Sequence, residues 1–400
     1  MADYLIKKET LKNIADKTRT MCGEDYELTT GEIINNLKES NETIEAIARK
    51  FVDLDEEQYM NKTMRRYKDD TVTKVRDYAF YRFESLKEVN FPACTSVGSN
   101  AFVNCYSLTE VNFPVCTNIG SYAFEYCGSL TEVNFPACTS IGSYAFYSCS
   151  SLTEANFPAC KSIGNSAFRY CYSLTTVNFP ACSYIGSNVF NDCTSLTSVN
   201  FPACISIGSY AFYRCSSLTE ANFPVCKRID ISAFSDCSSL ISVNFPVCTS
   251  VGSNAFYDCS SLTEANFPAC KSIGNSAFYW CISLTEANFP ACSYIGSNAF
   301  YRCTSLTEAN FSACTNVGSS AFYNCRSLAT IILGASSIVT LYNSDAFYST
   351  PMLYSYYTGS FGSIYVPASL VDSYKTASNW SYYADRITSI ENNIDINGGE

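Results

Sequence analysis

The sequence predicts a repeat solenoid, and three observations predict it. A 22-residue unit is written eleven times from Leu86 to Ser327 without an insertion or deletion. One phenylalanine keeps the same phase at Phe80, Phe102, Phe124, Phe146, Phe168, Phe190, Phe212, Phe234, Phe256, Phe278, Phe300 and Phe322. Each unit also carries a short alternating apolar run, ended by proline in ten of the eleven and by Ser312 in the last. A fixed period of this length marks units that cannot bury their apolar face alone and must stack.

Taken in order, residues 1–62 lie outside the repeat and read as a helical module. Leu5, Leu11, Ile14 and Ala15 suggest an amphipathic helix ending near Gly23. Thr29 and Glu32 fit a capping box, which opens a second helix with Ile33, Ile34 and Leu37. A third stretch holds Ile44, Ile47, Phe51 and Leu54. The solenoid is expected over residues 63–350 and opens on a degenerate coil with Met64, Tyr67, Val72, Val75, Ala79, Phe80 and Phe83.

In the copy from Leu108 to Ser129, Leu108, Val111 and Phe113 have the spacing of a strand whose alternate side chains face inward. Pro114 ends it, having no N–H for the ladder. Ile119-Gly120 reads as an inward residue and a tight turn, and Ala123-Phe124 as a helical or 3₁₀ turn. Cys116 and Cys127 complete the inward set. At ~5 Å per coil the array spans roughly 60 Å. Asn90, Asn112 and their equivalents predict an amide ladder, and the Glu110 series a solvated acidic row that is also open to a basic partner or Ca²⁺.

Beyond Ala329 the period breaks, with Asp345-Ala346-Phe347 as a shifted echo. Residues 351–400 read as a cap and tail: a closing strand at Ile364-Tyr365-Val366, then a helix over Ser369 to Ile387 packing through Leu370, Tyr374, Trp380, Tyr383 and Ile387, with Asn392 to Glu400 loose.

The formal net charge is −11 and histidine is absent. Of 26 Lys and Arg, 16 fall in the first 87 residues, where acids balance them, so no basic footprint for nucleic acid exists. Without histidine there is no Ser-His or Cys-His nucleophile. Every glutamate of the strand row is repeated coil after coil, whereas a catalytic acid needs a singular environment. These points favour a non-enzymatic protein without cofactor or metal. No apolar run of signal-peptide or membrane-spanning type occurs, so synthesis in the cytoplasm is expected.

The 23 cysteines comprise Cys22, eleven in the Cys94 series and eleven in the Cys105 series. The opening coil has Val72 and Phe83 at these positions and the last has Ser336 and Thr350, so buried thiols are favoured over disulfides. Spacing alone does not exclude a bridge across a coil.

The unit resembles the BspA-like (Treponema pallidum-type) leucine-rich repeat, L-x-x-I-x-L-P-x-x-L-x-x-I-G-x-x-A-F-x-x-C, from about residue 64 to 350, except that Cys94 and its equivalents replace an aliphatic residue. The resemblance implies a right-handed coil with a concave parallel β-sheet, short helical or 3₁₀ turns on the convex side, and a recognition or adhesion role. The segment TLKNIADKTRTMCGEDYELTTGEIINNL is similar to an N-terminal segment of phage and prophage proteins of Gram-positive bacteria. That similarity implies a phage particle or prophage gene, with residues 1–62 contacting other virion proteins or only capping the array. IYVPASLVDSYKTASNW resembles the closing segment of repeat proteins from the same sources.

The candidate ligand surface is the outward ridge after Ala-Phe: Tyr147, Arg169, Tyr170, Tyr213, Arg214, Tyr257, Tyr279, Trp280, Tyr301, Arg302 and Tyr323. Tyr, Trp and Arg among small polar residues suit a binding face for protein or sugar, while stacked tyrosines can equally serve to cover the coil. Three functions remain open: a phage tail-associated protein that binds a bacterial surface protein or glycan, a cell-surface adhesion protein of BspA-like type, and a carbohydrate-active enzyme. The location is accordingly the virion or the cell surface.

Overall fold

The computed structural model describes residues 62–392. The helical module predicted before residue 62, its capping box and Cys22 lie outside the described residues, as does the tail from 393. The chain divides into two units, residues 1–64 and 65–400, and only the second is described below.

Each coil supplies one three-residue strand, such as Glu110–Asn112, and one two-residue strand, such as Asn118–Ile119. Neighbouring coils pair in parallel at an offset of one unit, Glu88 against Glu110 and Val97 against Ile119. Of the eight inward positions in the representative copy, Leu108, Phe113, Cys116, Ile119, Ala123, Phe124 and Cys127 are buried, and Val111 is half-buried. Two phenylalanine columns run up the core. In the Ala-Phe column the rings stack nearly parallel, from 5.0 Å between Phe102 and Phe124 to 5.5 Å between Phe168 and Phe190.

The Ala-Phe segment is a chain of hydrogen-bonded turns. The only α-helix among the described residues is Val371–Thr376, and the 3₁₀ segments lie at the C-terminal end. The turns are tied to the next coil by a ladder of their own: Tyr122 N donates to Ser143 O, Phe124 N to Ala145 O and Tyr126 N to Tyr147 O, at 2.7–2.9 Å. This ladder places two residues per coil, here Tyr122 and Tyr126, at φ of 59°. In a non-glycine residue that conformation costs about 1–2 kcal/mol, and the inter-coil bonds on either side offset it.

The glycine after the inward Ile is required for a different reason from the predicted turn. Its φ is not positive. A Cβ on Gly142 would sit 2.5 Å from the backbone carbonyl carbon of Gly120, and one on Gly164 would sit 2.6 Å from Ser143 N. Glycine here lets backbone approach backbone, so the two-residue strands join into one 13-stranded sheet from Lys74–Val75 to Thr340–Leu341. At Asp230, where glycine is replaced, the carboxylate turns outward to Arg228 at 2.5 Å.

The three-residue strands behave differently. They divide into four sheets, with breaks between Asn112 and Glu132, Asn178 and Ser198, and Asn244 and Glu264, three coils apart. The predicted asparagine ladder is present and breaks at the same places. Asn156 Nδ2 donates to Asn134 Oδ1 at 2.9 Å and Asn178 Nδ2 to Asn156 Oδ1 at 2.7 Å, but among the described residues no such bond crosses a break. The strand-side rings widen there too. Spacings are 5.8, 5.9 and 5.7 Å for Phe113–Phe135, Phe179–Phe201 and Phe245–Phe267, against 5.2–5.6 Å for the other parallel pairs of that column.

Each break has valine on at least one side. Val111 meets Val133 and Val177 meets Val199 at two of them, whereas Ala155, Ala221, Ala287 and Ala309 lie inside intact sheets. β-Branched bulk alone does not open a ladder, since Val97, Ile119, Ile141 and Ile163 stack in register through the unbroken sheet. The third break has valine on one side only, and Val89–Val111 stays paired, so valine at the strand centre does not by itself set the breaks.

All 22 cysteines of the array are free and buried. Each thiol of the Cys105 series points back to the preceding coil, as Cys127 Sγ does to Phe102 O at 3.2 Å. Thr350 holds the buried place predicted for it. Ser336 does not: it is exposed, because the register between Asn316 and Thr340 has grown from 22 to 24 residues. The Phe347 echo restores the column, stacking on Phe322 at 5.3 Å.

The cap also differs from its prediction. The expected helix over Ser369–Ile387 is instead a six-residue helix, Val371–Thr376, a 3₁₀ segment, Ser381–Arg386, and a final strand, Ile387–Ser389. Extended Ala377 and left-handed Asn379 (φ 64°) end the helix. Tyr374, Trp380, Tyr383 and Ile387 are nevertheless buried as predicted, with Leu370 half-buried. They pair the backbone of the last coil. Trp380 Nε1 donates to Val339 O at 2.7 Å, Tyr374 OH accepts from Val339 N at 2.9 Å, and Asn379 Nδ2 donates to Leu341 O at 2.9 Å. Tyr383 OH donates to Ser344 O.

Candidate functional site

The ridge is built by the turns. The residue directly after the core phenylalanine is half-buried against its neighbours, and the next residue is held at positive φ with its side chain outside the core. Side chains from successive coils therefore lie about one strand spacing apart, close enough for rings to stack face to face.

The predicted ridge is not continuous. Asn191 and Ser235 occupy two of its positions and are buried, which separates three clusters. In the first, Tyr147 meets Tyr126 edge-on at 5.6 Å and Tyr170 at 5.4 Å, and Arg169 lies over Tyr170 at 4.5 Å while donating to its hydroxyl at 2.8 Å. Tyr122 and Tyr144, stacked at 4.8 Å, extend this cluster. The second is small: Arg214 over Tyr213 at 5.1 Å, with Asp236 at 3.9 Å from the guanidinium.

The third cluster is the longest. Tyr257, Tyr279, Tyr301 and Tyr323 stack at 5.0, 4.7 and 5.0 Å, with planes within 6° of parallel. Tyr348 adds a fifth ring at 5.2 Å. It follows Ala346-Phe347, so the echo motif carried the signal for it. Burial raises the Tyr257, Tyr279 and Tyr323 hydroxyls above their ordinary pKa. Neighbouring aspartates reinforce this at Tyr257, and neighbouring tyrosines at the other two. All three remain neutral donors at physiological pH.

Beside this stack runs a groove of about 500 Å³. One wall is the positive-φ column Asp258, Trp280, Arg302 and Asn324, and the other is Ile282, Thr304 and Arg326. Trp280 lies 5.6 Å from Tyr279 and is 36% exposed. Arg302 reaches over Trp280 and Tyr301 at 5.7 and 6.0 Å. Arg326 donates from Nε to Asn324 Oδ1 at 3.0 Å and lies over Tyr357 at 5.6 Å. Burial, then Asp236, holds the Asp258 carboxyl above its usual range. The sequence reading missed Ile282, Thr304, Asn324 and Arg326 here, because a groove between two columns has no signature along one repeat.

The strand face offers a second, smaller cleft of about 180 Å³ at the third break, lined in part by Asn244, Glu264 and Asn266. Its glutamate row is largely exposed, and Glu286 is raised by partial burial, then by Glu264 and Glu308. Among the described residues no group of His, Cys, Asp or Glu is placed to hold a metal ion. No described helix is long and apolar enough to cross a membrane.

Comparison with known proteins agrees with this architecture. The sequence model of the family described as the BspA type leucine rich repeat region (6 copies) matches residues 58–175, 161–270 and 249–368. The solved structure of a leucine-rich repeat protein from Bacteroides ovatus is 24% identical over 82% of this chain and 85% of that one, with a TM-score of 0.60. The T. pallidum leucine rich repeat protein is 31% identical over 37% of this chain and 72% of its own, with a TM-score of 0.35. A leucine rich cell surface protein from Faecalibacterium prausnitzii is 24% identical over 67% and 84%, with a TM-score of 0.33. No curated protein matches.

Proposed function

Because the chain belongs to the BspA-type leucine-rich repeat family, we propose that it is a non-enzymatic recognition scaffold whose ridge binds a bacterial surface protein or glycan. The observation that carries this reading is the five-ring stack Tyr257–Tyr279–Tyr301–Tyr323–Tyr348 with Trp280 and Arg302 beside it. Rigid amphipathic rings give contact area at low entropic cost, and arginine laid on them is already oriented. The core needs none of these side chains, since the outer positions accept Tyr, Arg, Asn and Ser from coil to coil.

The scaffold is tail-associated on a phage or prophage particle. The similarity of the segment around Thr10 to Leu37 to phage and prophage proteins supports this placement. A second reading, an adhesion protein on a bacterial surface, is favoured by the family itself. Release in particles separates the two. A carbohydrate-active enzyme has less support: the raised Glu286 owes its shift to partial burial and to two copies of itself in the adjacent coils.

The test is binding of labelled protein to Gram-positive cells and their purified wall glycans, beside a variant with Tyr257, Tyr279, Trp280 and Tyr301 changed to serine. The expected result is binding by the parent and its loss in a variant that still melts cooperatively. Equal binding by both places recognition elsewhere.

A further inference from the structure

The groove beside the tyrosine stack contains two guanidiniums that form no salt bridge among the described residues. Among the described residues the arginines in salt bridges are Arg66, Arg214 and Arg228. Arg302 and Arg326 are instead held by neutral partners: Arg302 by the faces of Trp280 and Tyr301, Arg326 by Asn324 Oδ1 and the face of Tyr357. These contacts orient both groups and, among the described residues, Arg326 uses one donor, Nε, in a side-chain hydrogen bond and Arg302 uses none. They stand one coil apart in two facing columns, on a chain whose net charge is −11. The groove thus brings two positive charges together on a chain that is acidic as a whole. Asp258, the one acid of the lining, sits at the far end of its column, two coils from Arg302.

The rest of the lining says what the anion is attached to. Thr304 and Asn324 add neutral polar groups between the arginines, and Trp280 and Ile282 form an apolar wall. A bare inorganic ion would leave that wall unused. A sugar or polyol chain bearing acidic groups would use all of it, with its carbon skeleton on the indole and its oxyanion in the forks of the two arginines. Guanidinium pairs bidentately with either carboxylate or phosphate, so the shared chemistry is an oxyanion on a hydroxylated polymer.

We propose that the groove between the Trp280–Arg302–Asn324 and Ile282–Thr304–Arg326 columns is a subsite for an acidic glycan, which is gripped through its carboxylate or phosphate by Arg302 and Arg326. The proposal rests on the recognition reading above and deepens it by naming the ligand class.

The sequence contains two tryptophans, and Trp380 is buried in the cap, so a ligand-dependent change in fluorescence reports on Trp280. The whole chain is titrated with tetragalacturonate as the carboxylate probe, poly(glycerol phosphate) as the phosphate probe, inorganic phosphate alone, and maltotetraose as the uncharged control. The expected result is saturable change with one or both polymeric anions, weakening as salt rises. Inorganic phosphate and maltotetraose should bind at least tenfold more weakly. Arg302→Gln and Arg326→Gln should each reduce affinity at least tenfold with unchanged melting, and either variant suffices if the other does not fold.

Maltotetraose binding as tightly as the anions, or unchanged affinity in the glutamine variants, would overturn the anion subsite. So would inorganic phosphate binding as tightly as the polymers. If no anionic probe binds while the parent still adheres to cells through its ridge, the acidic-glycan proposal fails and the recognition reading stands. Loss of adhesion as well removes both.

Discussion

The two sides of each coil obey the same 22-residue period and answer it differently. On the turn side, the Phe124 column and the sheet of two-residue strands run without a gap through every regular coil, even past Asp230, which replaces the corner glycine. On the strand side the ladder divides at three places, although its side chains repeat just as faithfully. The difference lies in what sets the spacing. At the corner, backbone meets backbone across a glycine, and little can intervene. On the strand side the coils meet through side chains, as Phe113 meets Phe135 at 5.8 Å, and such contacts tolerate a wider spacing. The side with the tighter contact stays continuous, and the looser side opens every third coil.

The largest expected effect tests which side holds the coils together. Phe212 is stacked at 5.3 and 5.0 Å on Phe190 and Phe234, and is fully buried. Phe212→Ala should cost ~3–5 kcal/mol through the cavity it leaves. Phe201 faces a widened neighbour, 5.9 Å away at Phe179, so Phe201→Ala should fall at the lower end of that range. Denaturant melts of the two variants decide the point, and equal losses would mean that the breaks have no energetic weight.

A smaller effect separates the inside of a block from its edge. Asn156 bonds to asparagines on both sides, at 2.9 and 2.7 Å, whereas Asn200 bonds only to Asn222, at 2.8 Å. Each such bond is worth about 1 kcal/mol at most on this partly exposed face. Asn156→Ala should therefore destabilise about twice as much as Asn200→Ala, a comparison made within one column and one chemistry. Equal costs would show that amide continuity does not matter.

Amide exchange reads the breaks without mutation. Phe135, Phe157, Phe201 and Phe223 donate their N–H to the asparagine carbonyl of the next coil at 2.9–3.1 Å. Phe113, Phe179 and Phe245, at the breaks, have no such bond among the described residues. Their amides should exchange at least tenfold faster if openings there are local. Uniform protection along the column would remove the distinction between the two sides.

Much of this was legible because burial has a period. The inward set, the asparagine ladder, the Phe347 echo and the aromatic residues of the cap follow from spacing alone. What escaped depends on the next coil rather than on the residue itself. Tyr126, Trp280 and Arg302 carry no mark of positive φ, which Asn or Gly would have given. A turn does follow the corner glycine as read, but the close backbone approach that makes glycine fit at Gly142 is not visible in one unit. The breaks recur every third coil, a period that no single unit contains. The groove needed two columns side by side, so Arg302 was found on its ridge while Arg326, two positions further along its own coil, was not.

The smallest expected effect concerns charge on the looser side. Glu264, Glu286 and Glu308 pair in register within the last sheet, and Glu286 is raised by partial burial, then by those two neighbours. A carboxyl whose folded-state pKa lies above its unfolded value destabilises the fold while ionised. The cost is full at neutral pH and disappears as pH falls through the raised value toward the ordinary range near ~4.3. Glu286→Gln should therefore stabilise the protein at pH 7 by a few tenths of a kcal/mol, the scale of exposed charge pairs. The gain should shrink with added salt and vanish by about pH 4. Glu132 lies at the start of its sheet, with Glu154 in register on one side and a break on the other. Glu132→Gln should gain less. If the two substitutions gave the same shift in melting temperature at pH 7, the acidic row would be too well solvated to sense its neighbours, and the breaks would matter to packing alone.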